Sequence, residues 1–220
     1  MALKKFLLFF LELLFPPRCI FCDSVIAPGT KICKECADTI LPIDEIRCMN
    51  LPNFGQNIPC IVLYSYENQV RDSMIRFKFR NEKRYADFYA EQLAKLIAKH
   101  SQLPVFDFVT AVPISRERKQ KRGYNQSELI AKKVAVRLNL PYESCLDKIR
   151  DNPEQHKLSR LERIKNVRGV YRADKKKTNG KSILLIDDIV TTGSTLCECA
   201  YVLLTSGART VFCAAVAQVS

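Results

Sequence analysis

The chain has 220 residues, 47% of them apolar, and a formal net charge of +12. That apolar content supplies a packed core and argues against wholesale disorder, and at roughly 150 residues per domain the length is more than one small domain and less than two full ones. The charge exceeds the magnitude of about 2–8 that solubility alone asks of a small domain, so it calls for an anionic partner: a phosphorylated small molecule, nucleic acid or an acidic membrane surface.

Residues 2–15 read as an amphipathic helix stopped by Pro16 and Pro17. Lys4, Lys5 and Glu12 share one narrow face of it, and the rest is Leu, Phe or Ala. The run is shorter than the roughly 20 residues that span a bilayer. Two placements stay open: packing on the protein, or peripheral contact with the inner face of the cytoplasmic membrane through Phe6, Phe9 and Phe10. Glu12 interrupts the apolar run and no small-residue cleavage site follows, which argues against a secretory signal and for a cytoplasmic protein. In that compartment the ten cysteines are expected as thiols or metal ligands.

The organisation that follows is a cysteine module at 18–40, a linker at 41–60 and an α/β domain at 61–220. "CIFC" (Cys19, Cys22) and "CKEC" (Cys33, Cys36) are two C-x-x-C pairs ten residues apart. Each pair can aim two thiolates at one point, and two pairs complete a tetrahedral sulfur site suited to structural zinc. A thioredoxin-like redox pair is the competing reading, but it does not need a second pair. A segment this short folds only with help, and a structural zinc contributes on the order of 10–16 kcal/mol.

From 61 onward strands and helices alternate. "CIVLYSY" (60–66), "KSILLIDDIV" (181–190) and "RTVFCAAVAQV" (209–219) read as strands, and "FDFVTAVPIS" (106–115) as a strand running into a loop. Between them, two helical segments flank Asn81, a helix begins near Ser127, and another runs from Gly193 to a stop at Gly207. The order predicts a mostly parallel sheet with helices on both faces.

The chemistry concentrates in "KSILLIDDIVTTGSTL" (181–196). A loop at the carboxyl end of a parallel strand is the usual ligand position in open α/β sheets. Thr191, Thr192, Gly193, Ser194 and Thr195 put hydroxyls and backbone N–H groups at a helix N-terminus, which suits phosphate. Asp187 and Asp188 cannot bind phosphate, but they can accept hydrogen bonds from the vicinal hydroxyls of a ribose. A ribose 5-phosphate therefore fits. "GKS" (180–182) mimics the end of a P-loop, but Lys175 stands where that motif needs Gly, and the loop would precede its strand.

"ILLIDDIVTTGSTL" resembles the 5-phosphoribosyl-1-pyrophosphate (PRPP) motif of type I phosphoribosyltransferases. Together with "CIFC…CKEC", "MIRFKFRN", "AVPISRERKQKRGYNQS" and "EQHKLSRLERIKN", the chain from about residue 19 resembles the ComF family of competence proteins. The resemblance implies a type I phosphoribosyltransferase-like fold behind a zinc finger. It carries the ribose to Asp187 and Asp188 and the 5-phosphate to Thr191–Thr195. It puts the pyrophosphate beside Ala111, Val112 and Pro113, with Lys78 and Arg122 on that side and Mg²⁺ bridging pyrophosphate and sugar. Many relatives have Pro where Ala111 stands and Gly where Asn81 stands; Asn tolerates the left-handed backbone that Gly would supply.

Cations interleaved with aromatics run through Arg76, Phe77 and Arg80, through Arg116, Arg118, Lys119, Lys121 and Tyr124 in what reads as a loop, and on to Arg163. That mixture suits single-stranded DNA, charge following the backbone and rings stacking on bases. Two functions follow: a DNA-handling factor of natural transformation that binds PRPP and works beside other competence proteins, or a phosphoribosyltransferase acting on a nitrogen acceptor. No base-binding hood is recognisable; residues 61–100 are the stretch that would supply one.

Overall fold

The structure, a computed structural model, describes residues 16–51, 57–150 and 167–219. The expected N-terminal helix and Arg163 lie outside the described residues. After the cysteine module, whose short helix α1 spans Lys34–Thr39, come β1 (Ile46–Asn50), β2 (Asn57–Ser65), α2 (Asn68–Phe79), α3 (Tyr85–Lys99) and β3 (Phe108–Ala111). Then follow α4 (Arg116–Arg122), α5 (Gln126–Arg137), β4 (Leu146–Lys148), β5 (Tyr171–Ala173), α6 (Lys175–Thr178), β6 (Ser182–Val190), α7 (Ser194–Thr205) and β7 (Thr210–Gln218).

The main sheet has the order β1-β2-β7-β6-β3, parallel throughout except for the β1–β2 pair. Its strands are buried on both sides, which explains their continuous apolar runs. Alternation along them builds two cores: Leu184, Ile186, Phe212 and Ala214 point to one, Ile183, Leu185, Val211 and Cys213 to the other. The first core is covered by α2, α3, α5 and the cysteine module, the second by α7 and the small β4–β5 sheet.

Two sequence expectations change. Residues 41–60 are not a free linker: β1 and the start of β2 pair antiparallel across them, and the Ile43 N–H donates to the Leu63 carbonyl at 2.8 Å. β1 is a half-exposed edge strand without a clean apolar alternation, so its pattern is weak. The basic stretch 116–122 is not a loop. Ser115 caps it through the Arg118 N–H at 3.3 Å, and Gly123 ends it in the left-handed conformation at φ 76°.

The two helices around Asn81 form as expected, and Asn81 takes φ 58° between them. Cys197 and Cys213 are buried core residues, as expected of small apolar side chains. Among the described residues no helix is long and apolar enough to cross a membrane.

Candidate functional site

Strand β6 carries the acid pair to the sheet's carboxyl end, where the chain turns through Gly193 at φ 75° into α7. There a cleft of about 510 Å³ opens, lined by Asp187, Asp188, Thr191, Gly193, Ser194 and Thr195. Thr192 is not among its lining residues. It bonds the Ser194 hydroxyl at 2.7 Å and borders a smaller cavity of about 370 Å³ against β1 and β2.

The two acids are not equivalent. Asp187 is only 8% exposed, and its Oδ1 accepts from the Ser127 hydroxyl and the Asp188 backbone N–H, both at 2.8 Å. Burial, together with the charge of Asp188, pushes Asp187 up to about 7, against the pull of those two donors and of Lys78. Asp188 pairs instead with the Lys78 Nζ at 3.1 Å. Lys78, expected on the pyrophosphate side, thus spans from α2 to the acids.

Ser127 escaped the sequence reading, which used it only to mark a helix start. The signal was its neighbourhood. Asn125 caps α5 by accepting from the Ser127 N–H at 3.1 Å, and it donates through Nδ2 to the Val112 carbonyl at 2.9 Å. The first turn of α5 therefore fixes both Asp187 and the turn after β3. Val112 and Pro113 of that turn line the cleft; Ala111 does not, because it is buried in β3 opposite Ile186. Lys148 and Tyr171 of the β4–β5 sheet complete a wall that no periodic pattern announced. Three-residue strands carry too little pattern to read.

The candidate nucleic-acid residues divide. Arg118, Lys121 and Arg122 line the cleft, whereas Arg116, Lys119 and Arg80 are exposed elsewhere. Phe77 is fully buried, and the buried Tyr124 spends its hydroxyl on the Phe77 carbonyl, so neither ring is available to a base. Arg76 Nη2 donates to the carbonyls of Ile20 and Phe21 at 2.9 and 2.5 Å, tying α2 to the first cysteine pair. These three are structural. Phe79, by contrast, is exposed, 62% accessible, with the Arg122 guanidinium 5.0 Å above its ring.

In the cysteine module the sulfurs of Cys19, Cys22, Cys33 and Cys36 lie within 4.8 Å of one another. A tetrahedral site with Zn–S bonds of about 2.3 Å needs sulfurs about 3.8 Å apart. The Cys22–Cys33 separation is 3.6 Å, so the four thiols fit zinc with no further ligand. The module does not stand apart: Phe21 inserts edge-on against Tyr64 and Phe88 at 5.5 and 5.6 Å in the main core.

Comparison with known proteins agrees with both halves. Residues 10–56 match a family model described as a double zinc ribbon domain, and residues 125–220 match the phosphoribosyl transferase domain. Among the described residues one four-cysteine cluster is present. The chain is 30% identical over 207 residues to the DNA utilization protein YhgH of Salmonella typhimurium, covering 88% of this chain and 86% of the relative. It is 30% identical over 223 residues to the competence protein ComFC of Bacillus subtilis, covering 86% and 89%. The adenine phosphoribosyltransferase of Thermoanaerobacter pseudethanolicus aligns at 14% identity and a TM-score of 0.40 over 79% of this chain and 95% of that one. The four-cysteine ribbon supports structural zinc, and the chain belongs to the ComFC/YhgH family of competence-related proteins with a phosphoribosyltransferase-type domain.

Proposed function

We propose that this protein is a DNA-handling factor of natural transformation that binds PRPP with Mg²⁺ and also binds single-stranded DNA. The observation that carries the reading is the convergence of two unlike groups on one cleft: adjacent carboxylates at the end of β6, and the hydroxyl-rich turn at the N-terminus of α7. A pentose phosphate needs both, acids for its vicinal hydroxyls and N–H groups with a helix dipole for its phosphate. In this reading Asp188 is the principal diol acceptor, since Asp187 already has one oxygen engaged by Ser127. Lys78 yields its partner as the sugar arrives. The Val112–Pro113 turn and the cleft face of α4 would hold the pyrophosphate, and Mg²⁺ bound with it would offset its charge.

Support for single-stranded DNA comes from the net charge of +12, from the exposed Arg80, Arg116 and Lys119, and from Phe79 beneath Arg122 at the cleft mouth. The names of the YhgH and ComFC relatives, DNA utilization and competence, point the same way.

Calorimetry of Mg·PRPP against the wild type and Asp187→Asn/Asp188→Asn tests the site. Binding is expected in the first and lost in the second at equal zinc content; equal affinities reject it. Oligonucleotide binding should weaken steeply from about 50 to 200 mM salt, and a flat response would remove the DNA half.

A further inference from the structure

Because 116–122 is a helix, its cations are sorted by face. Arg118, Lys121 and Arg122 stand at i, i+3 and i+4 and line the cleft together. Lys119 turns away to Glu128 at 3.4 Å. Ser115 and Gly123 fix both ends of the helix, so the sorting is built in. Arg122 both lines the cleft and lies over Phe79, an exposed ring that also lines it. The acids of the cleft, Asp187 and Asp188, belong to β6, whereas α4 brings only cations to its lining. A ligand with several phosphate charges is therefore drawn to the α4 side.

We infer that the cleft face of α4 reads phosphate for both ligands, so that the diphosphate of PRPP and the phosphodiester backbone of single-stranded DNA compete for Arg118, Lys121 and Arg122. The inference rests on the proposed binding of both ligands and adds the sign of their coupling. A guanidinium fork or an ammonium engaged by one phosphate group is unavailable to another. Linkage makes the antagonism reciprocal: DNA weakens PRPP by the factor by which PRPP weakens DNA. The shared chemistry is the phosphate group, and ribose 5-phosphate, which fills the acids and the α7 turn but lacks the diphosphate, separates the sources.

The test uses the full-length, zinc-loaded protein and a fluorescent single-stranded oligonucleotide at constant ionic strength. Its affinity is measured by anisotropy alone, then with saturating Mg·PRPP, inorganic pyrophosphate or ribose 5-phosphate. PRPP and pyrophosphate should each weaken oligonucleotide binding at least about fivefold, the low end of ordinary site coupling, and ribose 5-phosphate clearly less. Arg118→Ala with Lys121→Ala should weaken both ligands measured singly and shrink the remaining antagonism. Independent or mutually strengthened binding overturns the inference, as does ribose 5-phosphate competing as well as PRPP. Failure of either ligand to bind alone is a different result: it overturns the proposed function and takes the inference with it.

Discussion

Asp187→Asn should make the ligand-free protein more stable at neutral pH while destroying its proposed ligand site. Asp187 is buried beside Asp188 and rises from an ordinary 3.8 to about 7. At about 1.4 kcal/mol per tenfold change in proton affinity, full ionisation opposes folding by up to about 4 kcal/mol. The folded protein keeps the proton until about pH 7, whereas the unfolded chain releases it near 3.8. Between those values the unfolded state binds fewer protons, so the stability contributed below 3.8 is lost as pH rises through about 7. An asparagine carbonyl still accepts from the Ser127 hydroxyl and the Asp188 N–H, so those bonds survive. Discounting for water entry and relaxation leaves a gain of about 2 kcal/mol above pH 7, or roughly 4–8 °C in melting midpoint for a chain this long. Thermal melts of zinc-loaded wild type and variant at pH 5 and pH 8 measure it. The advantage must be larger at pH 8. A variant no more stable than wild type there, or one whose advantage shrinks as pH rises, would show that the buried carboxylate sits comfortably ionised and would refute the reasoning.

Ser127→Ala removes the side-chain donor to Asp187, so the midpoint of PRPP binding against pH should move upward and affinity at pH 7 fall about tenfold, a bond to a charged group being worth roughly 1.5–3 kcal/mol; Ser127→Thr should restore part of both, and an unmoved pH profile counts against the positioning role. Arg76→Ala strips two carbonyls of their donor at the first cysteine pair and should cost about 2–4 kcal/mol in urea melts and speed zinc release to a chelator. Oligonucleotide affinity of the folded variant should change little, and the reverse pattern would return Arg76 to the nucleic-acid surface. Gly193→Ala forces a side chain into the left-handed region at φ 75°, with its Cβ 3.1 Å from the Met49 Sδ; at about 1–2 kcal/mol for the backbone alone, stability should fall, and adding Met49→Ala should recover only a fraction. Full recovery would place the strain in the thioether contact instead.

Features whose chemistry is local were legible in the sequence. Paired cysteines at fixed spacing, a run of apolar residues ending in acids, and a Thr/Ser/Gly turn each carry their meaning within about fifteen positions, and one cleft brings the acids together with all of that turn but Thr192. Features decided by distant partners were not. Phe77 and Tyr124 look like stacking rings in a basic stretch, yet the core claims both, because α2 needs an apolar face against α3 and α5. "RERKQKR" has no apolar periodicity to announce a helix; its caps, Ser115 and Gly123, are the evidence, and they are read only when the flanking residues are weighed. β1 and the β4–β5 sheet are strands because of what they pair with, and short half-exposed segments show no period of their own.

Arg76 and Lys78 connect the cysteine module to the cleft at the end of β6. The two side chains leave α2 two residues apart and diverge, Arg76 to the carbonyls of the first cysteine pair and Lys78 to Asp188 in the cleft. Between them Phe77 is locked into the core, with its carbonyl held by Tyr124 of the segment that also supplies Asn125 and Ser127. A packed helix shifts as a rigid element rather than bending at each contact. Displacing the cysteine pair should therefore shift the lysine that faces the acids.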